Sequence, residues 1–358
     1  MHLFGRILIV SVFCFGFCLA WAGDNHPPLT NSSSASNPGL LQSTYRIEAG
    51  LDGEIFPVFA NYASLQKAQE RRFGVVAITI SNTSSETLRQ RVRVEIPGWS
   101  NTEIQPIELN AGAQRTLLFA PSFLPRLYQN REIVAAIASV SVTDSEGRNL
   151  YSATIPVRLR SSEDMYWGEG FKYASFVASW VTPHRPEVES ALSRAKEYTS
   201  DRRLPGYEDW KNSREQEQET YREARAIYSA LQGAGLSYVK SSLTLGGHQR
   251  VSERVRMPYV SLLGNSANCI DAVVLYASLF ENLSMDAEVV IVPGHAYVGV
   301  RVAPGSPRFL MIDAALTGRT NFEAAVASAR RGLARHGAAQ ITQILIPEAR
   351  SSGIYPMP

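Results

Sequence analysis

The chain has 358 residues, with 35 Lys and Arg against 33 Asp and Glu, a formal charge of +2 and a hydrophobic share of 45%. So even a balance gives no electrostatic footprint for nucleic acid or an acidic membrane surface, and both are set aside as partners. The length is enough for about two domains of ordinary size, each with its own core.

Residues 1–22 have the form of a targeting segment rather than of structure. Arg6 supplies the positive end, Ile7 to Leu19 the apolar stretch and Ala20-Trp21-Ala22 a small-residue cleavage site. The apolar run is short for a membrane span, no later segment approaches that length, and Cys18 lacks a lipid-attachment pattern, so an exported periplasmic or secreted protein is expected. Residues 23–40, rich in Pro, Ser and Asn, bury too little to fold and are expected to form a flexible leader.

From 41 to 160 the pattern becomes short alternating runs: Val75 to Ile80, Val92 to Ile96, Thr116 to Phe119, Ile133 to Val142 and Ala153 to Leu159. Turn signals separate them at Ser81-Asn-Thr-Ser-Ser85, Pro97-Gly98, Asn110-Ala-Gly112 and Asp144-Ser-Glu-Gly147. An all-β, Ig-like sandwich of about seven strands fits this spacing. Trp99 and the aromatic stretch Phe56 to Tyr62 are assigned to core packing in preference to a binding surface. No site chemistry is visible here.

Residues 161–170, polar and glycine-bearing, are expected to link this domain to a second one at 171–358. The period there lengthens to helical spacing at Phe171 to Trp180, Pro186 to Tyr198 and Trp210 to Gln232. The last is dense in charge, which suggests a solvated face, while Ala224, Ile227, Tyr228 and Leu231 offer an inner face for a neighbouring helix.

A fourth helix is predicted from Cys269, where Val273, Tyr276, Phe280 and Leu283 recur at three and four, with Asn265 or Ser266 as its cap. Cys269 then falls in the first turn, where unpaired N–H groups and the helix dipole favour a thiolate. Strands follow at Ala287 to Val292, His295 to Val302 and Arg308 to Leu316, punctuated by Pro293-Gly294 and Ala303 to Pro307. If Val302 pairs with Arg308, Val298 lies opposite Ile312 and Val300 opposite Leu310. The same register sets Asp313 opposite Tyr297 and diagonal to His295, so that a carboxylate can hold the imidazole.

Each of these residues taken alone has a bland reading: a small buried cysteine, a structural histidine, a turn-closing aspartate. Cysteine usage sharpens the case. Of three cysteines, Cys14 and Cys18 leave with the targeting segment and Cys269 remains, a free thiol in an exported chain. His184, His248 and His336 are isolated and no His-Glu-x-x-His occurs, so no metal is expected. Phosphate-loop, dinucleotide and serine-elbow signatures are missing as well, Gly246-Gly247 marks only a loop, and no cofactor is expected.

Asn268-Cys-Ile-Asp271 opening a helix, Val292-Pro-Gly-His-Ala-Tyr-Val-Gly299, and Ile312-Asp-Ala314 with Phe322-Glu-Ala-Ala325 after it resemble the transglutaminase-like superfamily of papain-type folds. Trp180-Val-Thr-Pro-His184, Arg256-Met-Pro258 and Arg350-Ser-Ser-Gly-Ile-Tyr-Pro356 are similar to the same group, so the resemblance runs over 170–358. It implies an α+β domain with Cys269 as nucleophile, His295 as base and then acid, and Asp313 as the orienting carboxylate. Two departures affect the groove: Ala267 stands where the superfamily often has glycine, and Tyr297 where it often has tryptophan.

The expected activity is thiol-dependent acyl transfer on amide bonds of proteins or peptides in the cell envelope, hydrolysis in preference to crosslinking. The backbone N–H of Cys269 is the natural first oxyanion donor. Asn268 is a candidate second donor, though shaping the helix start suits it better, and Asp271 fits a structural or pocket-rim role. The rival reading is a non-catalytic envelope binding or scaffold protein that keeps the fold without turnover. Oligomeric state is left open.

Overall fold

Alternation of apolar and polar side chains between Ser43 and Leu159 builds eight strands: β1 (Ser43–Ala49), β2 (Glu54–Ile55), β3 (Val76–Asn82), β4 (Leu88–Glu95), β5 (Glu103–Leu109), β6 (Gln114–Phe119), β7 (Val134–Asp144) and β8 (Asn149–Leu159). The computed structural model describes residues 42–65, 73–208, 212–240 and 252–358; the expected leader segments, Trp210, the Gly246-Gly247 loop and His248 lie outside the described residues. The strands form a three-stranded sheet, β1-β3-β6, and a five-stranded sheet, β2-β8-β7-β4-β5. Ile47, Ile78, Ile80 and Leu117 of the first share a core with Val92, Val94, Val140, Val142, Ile155 and Val157 of the second. Each strand thus turns alternate residues inward, which is how two sheets exclude water from between them.

Strand β5 was not among the expected runs because Pro106 interrupts it. It lies at a sheet edge and pairs only with β4, where a missing N–H is tolerated. Trp99 is half-buried against this core, with the Arg126 guanidinium 4.1 Å above its ring centre.

Between β2 and β3 the chain leaves the sheets and forms α1 (Pro57–Leu65). Phe56, Val58 and Phe59 belong to a second, larger core together with Trp167, Phe176 and Trp180. Phe59 stacks on Phe73 at 4.6 Å and meets Phe176 edge-on at 4.8 Å; Tyr62 meets Phe176 at 5.0 Å. The aromatic residues of Phe56 to Tyr62 are therefore core, but core of the other half, while Ala60 faces the sheets.

The expected linker at 161–170 differs from an exposed spacer. Ser161, Ser162, Glu163, Asp164, Met165 and Trp167 are all buried. Its polarity is matched by internal partners. Arg160 donates from Nε to Asp164 Oδ2 at 3.0 Å, and Arg254 Nε reaches Glu163 Oε2 at 2.7 Å. Strand β9 (Asp164–Tyr166) pairs with Ser252–Arg254, so main-chain bonds that a linker would give to water are made to protein.

The second half follows with α2 (Pro125–Gln129) behind it in sequence, then α3 (Pro186–Ala195), α4 (Ser213–Gly233), β10 (Ser237–Tyr238), β11 (Ser252–Arg254), α5 (Pro258–Gly264), β12 (Ser266–Ala267) and α6 (Cys269–Asn282). The chain continues through β13 (Ala287–Val292), β14 (His295–Arg301), β15 (Phe309–Ile312), α7 (Phe322–Leu333), β16 (Thr342–Leu345) and α8 (Ile346–Ser351). Phe171 to Trp180 forms 3₁₀ turns rather than an α-helix, chiefly over Ala174–Trp180. The chain is thus a mixed α/β structure with several β-sheets.

An antiparallel sheet of order β15-β14-β13-β16 carries the second core. Val289, Ile291, Val298, Val300 and Ile312 face α6, whereas Val290, Val292 and Tyr297 face Ala329 and Leu333 of α7. Ala224, Ile227, Tyr228 and Leu231 of α4 enter the core that α6 also lines, with Tyr228 and Tyr276 ring centres 6.4 Å apart, while α3 is the helix packed most closely on α4. The charged side of α4 is less solvated than expected: Glu219 and Glu223 are buried. Arg222 pairs with Glu219, and the Gly206 N–H donates to Glu223 Oε1 at 3.0 Å. Among the described residues no helix is long and apolar enough to cross a membrane.

Candidate active site

Helix α6 begins at Cys269 because of a reciprocal cap. The Asn268 side-chain oxygen accepts from the Asp271 N–H at 2.7 Å, and the Asp271 carboxylate accepts from the Asn268 N–H at 3.1 Å. This corrects the expected cap at Asn265 or Ser266. Asn265 instead ends α5 in the left-handed region at φ 46°, and Ser266 lies in β12. Only the residue directly before a helix can close such a box. The oxygen of Asn268 is thus committed to the helix start. Asp271 is fully buried, takes a further bond from the Arg256 N–H at 2.8 Å and is held above its ordinary acidity range chiefly by burial.

Cys269 is a free, half-exposed cysteine at the first helical position, whose N–H has no intrahelical acceptor. Its environment includes Tyr238, which local spacing did not suggest, with Glu253 beyond it. The Tyr238 phenol is held above its usual pKa by burial first and then by the negative charge of Cys269 and Glu253. Glu253 is pushed up to about 7 by burial and by Asp271, against a hydrogen bond to Trp167. Both reach the site from two- and three-residue strands, too short to leave a period in the sequence.

His295 arrives on the neighbouring sheet. Pro293-Gly294 is a two-residue turn between the partners Val292 and His295, and Gly294 at φ 77° occupies a region that favours glycine. The histidine is consequently the first residue of its strand, at the sheet end where α6 begins. The expected register across the next turn is present: Val298 faces Ile312, Val300 faces Leu310, and the Val302 N–H donates to Arg308 O at 3.1 Å. The third strand is shorter than expected, because after Ile312 the chain turns into a 3₁₀ segment, Ala314–Leu316.

Asp313 stands at that bend and turns its carboxylate to the imidazole, with His295 Nε2 2.9 Å from Asp313 Oδ1. The following loop is pinned by Tyr276, whose hydroxyl is 2.8 Å from Thr317 Oγ1, and by Tyr228, which donates to Leu316 O at 2.8 Å. Side-chain exposure is 29% for His295 and 8% for Asp313, so one edge of the ring is open and the carboxylate is not.

Cys269 is the second neighbour acting on the His295 ring. Burial disfavours the charged imidazole, but the hydrogen bond to Asp313 and the proximity of Cys269 overcome it and push the pKa up to about 9. With Nε2 on Asp313, Nδ1 is the nitrogen left for sulfur. Cys269, His295 and Asp313 thus meet, brought together from a helix, a strand and a bend. A thiol, an imidazole and a carboxylate in this order are the groups that thiol-based acyl-transfer chemistry uses.

Ser328 was not anticipated. Its hydroxyl donates to Asp313 Oδ2 at 2.8 Å from α7, and nothing in a helix of alanines and arginines marks one serine as different. Tyr297 meets the His295 ring edge-on, centres 4.7 Å apart at 84°. Among the described residues no group of three or more His, Cys, Asp and Glu is arranged to hold a metal ion.

No protein-family model matches the chain, and no curated protein does. Among solved structures, a FixG-related protein from Vibrio parahaemolyticus is 10% identical, with 34% of this chain and 98% of that one covered, at a TM-score of 0.19. A likeness of that extent says nothing about fold or activity here.

Proposed function

We propose that the chain is an exported, thiol-dependent acyl-transfer enzyme whose second half has a transglutaminase-like, papain-type fold behind an Ig-like sandwich. The observation that carries this reading is the contact of one imidazole with both a half-exposed thiol and a buried carboxylate. The high His295 pKa supports it further. At neutral pH the ring carries the proton that a departing amine needs.

In the reaction the Cys269 thiolate attacks an amide carbon and forms a sulfur–carbon bond. The carbonyl oxygen becomes an oxyanion that the Cys269 N–H faces at the helix start. His295 gives its proton to the departing amine as the carbon–nitrogen bond breaks, leaving a thioester. Water then attacks that thioester, His295 takes its proton, and the carboxylic acid leaves as the thiolate returns. Asp313 holds the ring in the one tautomer that serves both steps. Hydrolysis is favoured over transfer to an amine because water at its bulk concentration prevails in an open site. The substrate class is envelope proteins or peptides, following from the targeting features of 1–22.

The test is digestion of a peptide library by the purified mature protein, read by mass spectrometry for cleaved and crosslinked products. Loss of both in a folded Cys269→Ser variant is the expected result. Products that persist in that variant would show that another nucleophile is responsible.

A further inference from the structure

The Asp313 carboxylate has two oxygens, and only one is used by His295. A carboxylate turns readily about its terminal bond, since that torsion has no deep staggered wells. Held at one oxygen alone, it would let the imidazole swing with it. The second oxygen is taken by Ser328 at 2.8 Å, and the Asp313 N–H points one turn earlier on the same helix, to Ala325 O at 3.3 Å. The aspartate is therefore docked on α7 through both backbone and side chain.

The stripe continues. Residues 325, 328 and 332 are spaced three and then four apart, so they share one face of α7. A Cβ at Gly332 would collide with the Tyr297 phenol, which shows how closely that ring lies on the helix. Tyr297 in turn meets the His295 ring edge-on. One helix face thus touches two neighbours of the imidazole, Asp313 and Tyr297.

We propose that Ser328 is a positioning residue for the thiol site, acting through Asp313 to fix the plane of the His295 ring. This rests on the reading of Cys269 as the nucleophile. The competing account is that Ser328 only satisfies an oxygen of a buried carboxylate, as buried polar atoms generally must be satisfied. In that case its loss lowers stability and leaves the sulfur chemistry alone.

The two accounts separate in the pH profile of Cys269 alkylation by iodoacetamide, measured on the mature protein. Wild type is expected to label rapidly in mildly acidic solution. Ser328→Ala is expected to slow that labelling by roughly tenfold or more and to move the profile towards an ordinary thiol, because small displacements of an oriented group have effects of this order. Ser328→Thr, which keeps the hydroxyl, is expected to retain the wild-type profile. In an Asp313→Asn background Ser328→Ala is expected to add nothing, since an effect transmitted through Asp313 cannot be lost twice. Where Ser328→Ala does not fold, Ser328→Val, which has the shape of the threonine variant without its hydroxyl, replaces it with the same expectation. An unchanged profile in the folded variant, or an equal decrement in the Asp313→Asn background, overturns the role of Ser328. Wild type labelling at an ordinary thiol rate overturns the nucleophile itself, a different and recognisable failure.

Discussion

Arg350 and Glu281 meet in a two-pronged pair, Nε to Oε1 at 2.8 Å and Nη2 to Oε2 at 2.9 Å, near the C-terminal end of the cysteine helix. The same guanidinium donates to Ala178 O at 3.0 Å, Ile354 O at 2.8 Å and Val181 O at 2.8 Å. One side chain thus ties the last helix, the 3₁₀ turns after the sheets and α6 together. Arg350→Met keeps the stem and removes every donor, stranding a mostly buried carboxylate and three carbonyls. A loss of about 3 kcal/mol is expected in urea denaturation, since removing one partner of such a pair leaves the other uncompensated. A change within error would mean that solvent replaces the guanidinium freely.

Ser278 makes a smaller version of this tie. It accepts from the Thr182 N–H at 2.9 Å and donates to Val274 O at 2.7 Å, both in buried surroundings. Ser278→Ala leaves a buried amide without an acceptor and is expected to destabilise by about 1–3 kcal/mol. Hydrogen exchange at Thr182 should accelerate well beyond the change at other core amides. Uniform acceleration would show only global loosening.

Stability should fall as the solution becomes alkaline. Burial raises Glu223 from 4.5 to about 8 and Glu288 from 4.5 to about 7, and His295 is raised from 6.5 to about 9. For each group the folded state holds its proton more tightly than the unfolded state does. The stability from that proton is complete below the unfolded pKa and is lost as pH climbs through the folded one. The acids act over about pH 4.5 to 8 and the histidine over about 6.5 to 9. Melting temperatures should decline across this range, with the lower part flattened by Glu223→Gln and the upper part by His295→Ala. A melting temperature that climbs with pH instead would contradict the assignment.

Gly332→Ala should disturb the site from behind. The added methyl meets the Tyr297 phenol and must displace a ring that rests edge-on against His295. Thiol labelling in mild acid is expected to slow by roughly threefold to tenfold, in keeping with a small reorientation of the imidazole. Adding Tyr297→Phe removes the nearest atom and leaves the ring carbon 2.8 Å away, so recovery should be partial. Full activity in Gly332→Ala alone would show that Tyr297 moves without carrying the imidazole.

Much of the site was legible in the sequence, and the reason is local. A tight turn at 303–307 and an apolar inner face leave β14 and β15 one sensible register, which brings the chain to Ile312 beside His295, and the bend after it turns the Asp313 carboxylate to the ring. Long alternating runs such as β7 and β8 were equally plain. What escaped depends on partners distant in the chain. Glu163 is buried because Arg254 meets it, Ser328 matters because Asp313 faces it, and Glu223 is buried because Gly206 N–H caps it. None of these pairings leaves a period. The cap at Asn268 was hidden differently: three polar residues stand near the helix start, and only geometry selects the one whose neighbour three places on closes the box.

Helix α1 departs between two strands of the sandwich and seats Phe56, Val58 and Phe59 among the aromatics of the other half. It works as a dowel glued into a second block while its own block holds both ends. Cutting the polypeptide after Leu159 would leave that peg greasy and unsheathed on one fragment and an aromatic socket gaping on the other. Separate expression of either piece therefore invites clumping, and calorimetry of the intact chain should register a single melting event.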